Sequence, residues 1–243
     1  MSLTEHPATQ RSTFTTPNGN PVQMTWREGC ADWNNMTSSL TEDEYRLHGL
    51  DLRGVALDIG AYIGGVTVGL LVDHPDLHVI SVEPLPENLA LLRENAQSDR
   101  LRIVEGAVGG SGVIRYDYVS DNEPGGDFSP QHRYYGNSHG FELLCAGQPH
   151  KMVSAPTYTI ADLVPEGDIA LCKIDCEGGE WAFLDSPDVA RIALIVGEWH
   201  PNGNGPLGGG SPDALAQRLG ATHDLTCTPY PGIGPGNFWA VRR

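Results

Sequence analysis

The chain has 243 residues, with 31 acidic against 15 basic side chains and a formal charge of −16 at neutral pH. That balance argues against nucleic acid or an anionic membrane as main partner, since both need a basic footprint, and no run approaches the roughly 18 apolar residues of a membrane span. The expected setting is the cytoplasm, the expected partner is a small molecule, and the length suits one α/β unit with a sizeable core.

Residues 1–12 are polar. Residues 13–36 alternate polar and apolar groups around Pro17-Asn18-Gly19-Asn20, which predicts a hairpin. Thr41-Glu42-Asp43-Glu44 has capping-box form and predicts a short helix towards Leu50. We read 1–53 as an N-terminal extension and 54–243 as the main domain. Within that domain, strand Val55–Asp58 runs through a glycine-rich turn into a helix over 65–72, closed by Pro75. Strand Val79–Glu83, a helix over 87–97 and strand Leu101–Glu105 follow, with an extra strand over Val113–Tyr118.

Residues 119–150 are broken and polar, and they read as an insertion or lid. Thr159–Leu163 predicts a short helix, Ile169–Asp175 a strand, 179–184 a helix and Ile192–Glu198 a strand. After the Gly/Asn/Pro-rich stretch 202–210, Ser211-Pro212 caps and starts a helix to Leu219. Thr222–Thr228 and Asn237–Arg242 are the last strands. The alternation predicts an α/β, doubly wound sheet with an antiparallel edge. Five cysteines, an odd number with no CxxC pair, predict reduced thiols.

Chemistry gathers at the strand ends, where open α/β sheets bind their ligands. Asp58-Ile59-Gly60-Ala61-Tyr62-Ile63-Gly64 ends the first strand, with glycines expected to let the backbone approach a ligand. Glu83 ends the second strand, placed to chelate ribose hydroxyls. The turn lacks the second close glycine that a pyrophosphate needs, which counts against a nicotinamide cofactor. Lys173-Ile174-Asp175-Cys176-Glu177-Gly178-Gly179-Glu180 and Glu198-Trp199-His200 follow two further strands and are expected to converge on one crevice. Glu180 reads as a helix cap. Asp175, Glu198 and His200 could also hold a divalent metal, though plain substrate anchoring is preferred.

The segments 58–64, 173–180 and 198–200, with Val82-Glu83-Pro84, Pro86 and Asn88, resemble the FkbM-type methyltransferases of the class I S-adenosylmethionine-dependent superfamily, over roughly residues 54–200. The resemblance implies a Rossmann-like seven-stranded sheet with its last strand antiparallel and S-adenosylmethionine across the strand edge. Gly60, Ala61 and Gly64 would line the turn under the methionine part, and Asp58 would hold the turn. Glu83 would take both ribose hydroxyls, with Pro84 and Asn88 near by, and Glu105-Gly106-Ala107-Val108 would flank adenine. Tyr62 departs from the family's usual Asn; its ring would close over the methionine end or reshape the pocket mouth. Asp175 would touch the methionine ammonium or orient His200, the expected general base, with Glu198 beside them. Glu177, Tyr134, Tyr135 and His200 are the acceptor-binding candidates. The implied activity is O-methylation of a small-molecule hydroxyl, a secondary metabolite or sugar-like group. Two alternatives are intramolecular displacement on the cofactor's aminobutyrate arm and a non-catalytic scaffold.

Overall fold

A computed structural model describes residues 8–28, 32–109, 112–118, 151–176, 179–200, 210–230 and 236–243. Strands β1 (Thr9–Thr15) and β2 (Pro21–Arg27) form an antiparallel hairpin, Thr9 opposite Arg27. Helix α1 (Asp32–Met36) runs into a π-helical turn, Thr37–Thr41. The main unit then alternates β3 (Gly54–Ile59), α2 (Gly65–Asp73), β4 (Leu77–Glu83), α3 (Pro86–Asn95) and β5 (Leu101–Glu105). Three short pieces, β6 (Ala107–Val108), β7 (Gly112–Tyr118) and β8 (Lys151–Tyr158), pair as a separate small sheet in the order β6-β8-β7. Next come α4 (Ile160–Leu163), β9 (Ile169–Ile174), α5 (Glu180–Leu184), a 3-10 turn over Pro187–Arg191 and β10 (Ile192–Trp199). Helix α6 (Pro212–Leu219), β11 (His223–Pro229) and β12 (Gly236–Arg242) complete the chain.

The central sheet has seven strands in the order β11-β12-β10-β9-β3-β4-β5. The five strands from β10 to β5 are parallel, while the last strand, β12, runs antiparallel to β10 and to β11. This is the expected Rossmann-like doubly wound sheet. Strand alternation sends neighbouring residues to opposite faces. Ala56 and Leu171 face a cluster with α2, α3 and the hairpin, whereas Leu57, Ile59, Cys172 and Ile174 face one with α4, α5 and α6. Phe14, Val22, Met24, Met36, Leu40, Tyr45 and Leu47 belong to the first cluster, so residues before 54 build the same core as the sheet.

The helix expected from Thr41 towards Leu50 is absent. The Glu42 amide instead closes the π turn on the Thr37 carbonyl, and Asp43 and Arg46 adopt φ of 51° and 54°. The Asp43 carboxylate accepts the amides of Leu47 (2.6 Å) and His48 (2.9 Å). A short acid that bonds backbone amides four and five residues ahead competes with helix formation, which the capping-box pattern does not register. Strand β8, for which the sequence pattern predicted no strand, starts at Lys151 and pairs with β7. Ser211 caps α6 as expected, and the expected short helix α4 starts with a reciprocal capping box between Thr159 and Asp162. The proposed insertion, 119–150, lies outside the described residues.

The hairpin is tied to the domain through Asp73, at the end of α2. Its carboxylate accepts from Thr16 Oγ1 (2.6 Å), the Asn18 amide (2.9 Å) and Asn20 Nδ2 (2.8 Å). Asp73→Ala should therefore lower unfolding free energy by about 1–2 kcal/mol, measured by urea titration. An unchanged midpoint would mean that the packed apolar residues alone hold the hairpin.

Candidate active site

The turn after β3 is built by close approach of the chain to itself. Gly60 has φ of 73°, and a Cβ there would lie 1.9 Å from the Asp175 carbonyl oxygen. Gly64 has φ of 98° at the N-cap of α2, and its Cβ would lie 2.8 Å from Leu92 Cδ1. Both positions demand glycine, but the neighbour each admits is protein. The amides of Gly60 and Ala61 both donate to the Val82 carbonyl at 3.0 Å.

Beneath this turn lies a buried ion pair. Lys173 Nζ donates to the carbonyls of Gly60 (2.8 Å) and Ile59 (3.4 Å) and sits 3.5 Å from Asp58 Oδ1. Burial works against its charge, but Asp58, Asp175 and Glu44 outweigh it and hold the ammonium above its usual pKa. Asp58 is fully buried. Its Oδ2 accepts from Thr67 Oγ1 (2.6 Å), while Oδ1 makes no hydrogen bond among the described residues.

Glu83 ends β4 and turns back into the protein. Its Oε1 accepts from the Leu85 amide (3.0 Å) and Asn88 Nδ2 (3.1 Å), and its Oε2 from the Tyr62 amide (2.9 Å). Three of the roughly four lone-pair positions of the carboxylate are thus filled. Burial pushes its pKa up from 4.5 to about 7, against the lowering effect of those three donors. Tyr62 adopts φ of 52°, and its hydroxyl donates to Asp32 Oδ1. The ring is thereby tied to the N-terminal segment.

The edge expected to flank adenine is shared with the small sheet. The Gly106 amide donates to the Glu83 carbonyl (3.1 Å), and a Cβ on Gly106 would lie 2.5 Å from the Tyr158 ring. Ala107 and Val108 pair with Thr157 and Tyr158 of β8. Glu105 points to solvent and pairs with Arg93 at 3.3 Å. The sequence pattern held no sign of Tyr158 here, because β8 reaches this edge only after residues 119–150.

On the other side of β3, the ends of β9 and β10 bring Asp175, Glu198 and His200 together. Their ligand-capable atoms all lie within 4.8 Å of one another. His200 Nε2 is 3.9 Å from Asp175 Oδ1 and 3.8 Å from Glu198 Oε1. Glu180 fixes the histidine from behind: it is fully buried, and its Oε1 accepts the His200 amide (2.7 Å) and lies 3.2 Å from Nδ1. The His200 carbonyl accepts from Trp181 Nε1 (3.0 Å). Glu180 was expected to cap a helix. It is instead the first residue of α5, behind the side-chain-free cap Gly179, and it reaches across to the next strand.

Three further groups were not foreseen. Tyr45 donates its hydroxyl to Asp175 Oδ2 (2.9 Å), and burial, then Asp175, hold its pKa well above the ordinary value, so it stays a donor. Glu44 next to it has its pKa raised to about 7 by burial, then by Asp175. Tyr230 bonds Asn237 (3.0 Å), and burial, then Glu198, Glu44 and Asp175, raise its pKa. Glu44 and Tyr45 arrive through the turn that replaces the expected helix, so no local pattern marks them. Glu177, Tyr134 and Tyr135 lie outside the described residues.

Comparison with known proteins bears on this edge. The sequence profile described as "Methyltransferase FkbM domain" matches residues 58–219. The 31-O-demethyl-FK506 methyltransferase FkbM of Streptomyces tacrolimicus is 30% identical over 185 residues, 66% of this chain and 71% of that protein. Among solved structures, precorrin-6y C5,15-methyltransferase from Geobacter metallireducens matches with a TM-score of 0.43 and 15% identity, covering 84% of this chain and 86% of that one. TrmN from Thermus thermophilus matches with a TM-score of 0.46 and 12% identity, covering 92% and 56%. The matched span starts at Asp58 and takes in Glu83, Asp175, Glu180, Glu198 and His200, and on that span the chain belongs to the FkbM methyltransferase family of S-adenosylmethionine-dependent enzymes.

Proposed function

We propose that this methyltransferase acts on a hydroxyl of a small molecule, with His200 as general base. The observation that carries this reading is the Glu180–His200 contact. With its Nδ1 proton on Glu180, whose carboxylate lies 3.2 Å away, the ring would present Nε2 to the space between Asp175 and Glu198. A neutral imidazole aimed this way can take a hydroxyl proton near neutral pH. The related Streptomyces protein is named for methylation at an oxygen, of 31-O-demethyl-FK506, which supports an O-methyl product here.

The residues also suit the cofactor. Asp58 Oδ1 is a buried acceptor without a hydrogen bond among the described residues, and Glu83 keeps one acceptor position on Oε2. Glu83 would hold the ribose. With three donors already on the carboxylate, it takes one hydroxyl without rearrangement, fewer than the two expected. Asp58 would hold the turn under the methionine end, and Gly106, Val108 and Tyr158 would flank adenine. When bound, S-adenosylmethionine supplies an electrophilic methyl group on a sulfonium. Asp175, held by Tyr45, would orient the acceptor or the methionine ammonium.

A second reading has its own observation. Asp175, Glu198 and His200 offer one nitrogen and two oxygens at a spacing that a divalent ion could bridge. An ion there would lower the acceptor's pKa in place of the imidazole base. Chelation separates the two. The base reading expects activity to survive EDTA, and the metal reading expects loss with recovery on adding Mg²⁺.

The direct assay supplies methyl-labelled S-adenosylmethionine with hydroxyl-bearing metabolites. Label in the product supports transfer to oxygen, whereas methylthioadenosine released without acceptor would support intramolecular chemistry. With an acceptor in hand, His200→Ala should lower kcat by about 10²–10⁴-fold. Glu180→Gln should lower it by about 10-fold or more, by loosening the ring. Wild-type turnover in a folded His200→Ala variant would remove the base assignment.

Glu83 makes the protein pH-sensitive with a definite sign. A carboxyl raised from 4.5 to about 7 on folding adds stability below pH 4.5 that is lost as pH rises through about 7. Relative to Glu83→Gln, the wild-type melting temperature should fall from pH 5 to pH 8. Affinity for S-adenosylhomocysteine should rise over the same range, because the ionised form is the better acceptor, and should stay flat in Glu83→Gln. Parallel profiles in the two proteins would place the titration elsewhere.

A further inference from the structure

The N-terminal segment precedes the matched span, yet it touches the ribose-binding loop through a chain of buried polar groups. Arg27 and Asp32 form an ion pair with almost no exposure: Nε lies 2.9 Å from Oδ2, and Nη2 lies 3.0 Å from Oδ1. The Arg27 amide donates to the same carboxylate (2.8 Å). A pair buried this deeply gives little net stability, because desolvation offsets its attraction. Its geometry is therefore the more informative property.

Among the described residues, two contacts run from the pair to groups that bond Glu83. Arg27 Nη2 also donates to Asn88 Oδ1 (2.9 Å). Only an acceptor can face that guanidinium, so the Asn88 amide is turned with its NH₂ towards Glu83 Oε1, 3.1 Å away. Asp32 Oδ1 accepts the Tyr62 hydroxyl, while the Tyr62 amide donates to Glu83 Oε2 (2.9 Å). Tyr62 has φ of 52°, a conformation that costs a residue with a Cβ about 1 kcal/mol. The Arg27 guanidinium lies 5.6 Å from the Tyr62 ring centroid. Tyr62 is thus held from both ends in a conformation it would not choose alone.

We propose that Arg27 and Asp32 are cofactor-positioning residues: through Asn88 and Tyr62 they set two of the three donors that orient the Glu83 carboxylate for the ribose of S-adenosylmethionine. The proposal rests on Glu83 being the ribose acid. It makes the hairpin and α1 part of the cofactor site, although the ion pair itself need not touch the cofactor.

The test is calorimetric titration with S-adenosylhomocysteine at neutral pH, on variants checked for folding by circular dichroism and thermal melting. Tyr62→Phe removes one hydroxyl and is the mildest probe, and Arg27→Met removes the fork that turns Asn88. Each should weaken binding by about tenfold. In a Glu83→Gln background each should cost less than about twofold, because their effect passes through that carboxylate. Equal losses in both backgrounds would reduce the ion pair to general packing and overturn the proposal. So would wild-type affinity in a folded Tyr62→Phe protein, even if Arg27→Met fails to fold. If Glu83→Gln alone binds like wild type, the ribose assignment falls and takes the proposal with it. If Glu83→Gln binds weakly while Tyr62→Phe and Arg27→Met do not, the assignment stands and only the positioning role is lost.

Discussion

The architecture of the site depends on one buried ammonium. Lys173 sits on β9 opposite Asp58 of β3, and it bonds the carbonyls of Ile59 and Gly60 where β3 ends. Those two strands are the centre of the sheet, and the turn between β3 and α2 leaves from this point. Removing one partner of a buried pair costs about 3–5 kcal/mol, since the other charge stays behind without compensation. The pair also sets the direction of the turn. With Gly60 pulled onto Lys173 and pressed against the Asp175 carbonyl, the chain leaves β3 at one angle. Tyr62 follows two residues later, in place to meet Glu83.

From that centre two chemistries diverge along the same sheet edge. Towards β4 and β5 lie Glu83, Asn88 and Gly106, a closed environment in which one carboxylate is surrounded by donors. Towards β10 and β12 lie Asp175, Glu198, His200 and Tyr230, an environment rich in acceptors. Tyr45 joins the second half from the N-terminal turn, and Arg27 with Asp32 joins the first half from the hairpin and α1. The segment before residue 54 therefore closes the same sheet face at both halves of the edge. Its apolar residues share the core cluster with α2 and α3, so the polar contacts are carried on a packed frame.

The strands and most of the candidate site could be read from the residues because each apolar run ends in its functional group. Asp58, Glu83, Asp175 and Glu198 each close or flank such a run, and strand ends meet at one edge in any doubly wound sheet. What could not be read lies in contacts between distant segments. Glu180 sits at a helix start, where an acid has a local reason to be, and only the crossing to β10 shows that it holds His200. Asp43 resembles part of a capping box, yet its carboxylate serves Leu47 and His48 and abolishes the helix. Arg27 and Asp32 are ordinary surface-type residues in sequence. They become buried because the hairpin folds onto the sheet, which no local periodicity announces.

The central claim is that the two halves of this edge serve one reaction, with the ribose on Glu83 and the transferred methyl beside Asp175 and His200. A crystal structure with S-adenosylhomocysteine tests it most directly. The account requires a ribose hydroxyl within hydrogen-bond distance of Glu83 Oε2 and the sulfur facing the space bounded by Asp175, Glu198 and His200. A cofactor whose ribose lies away from Glu83, or whose sulfur faces away from His200, would contradict it.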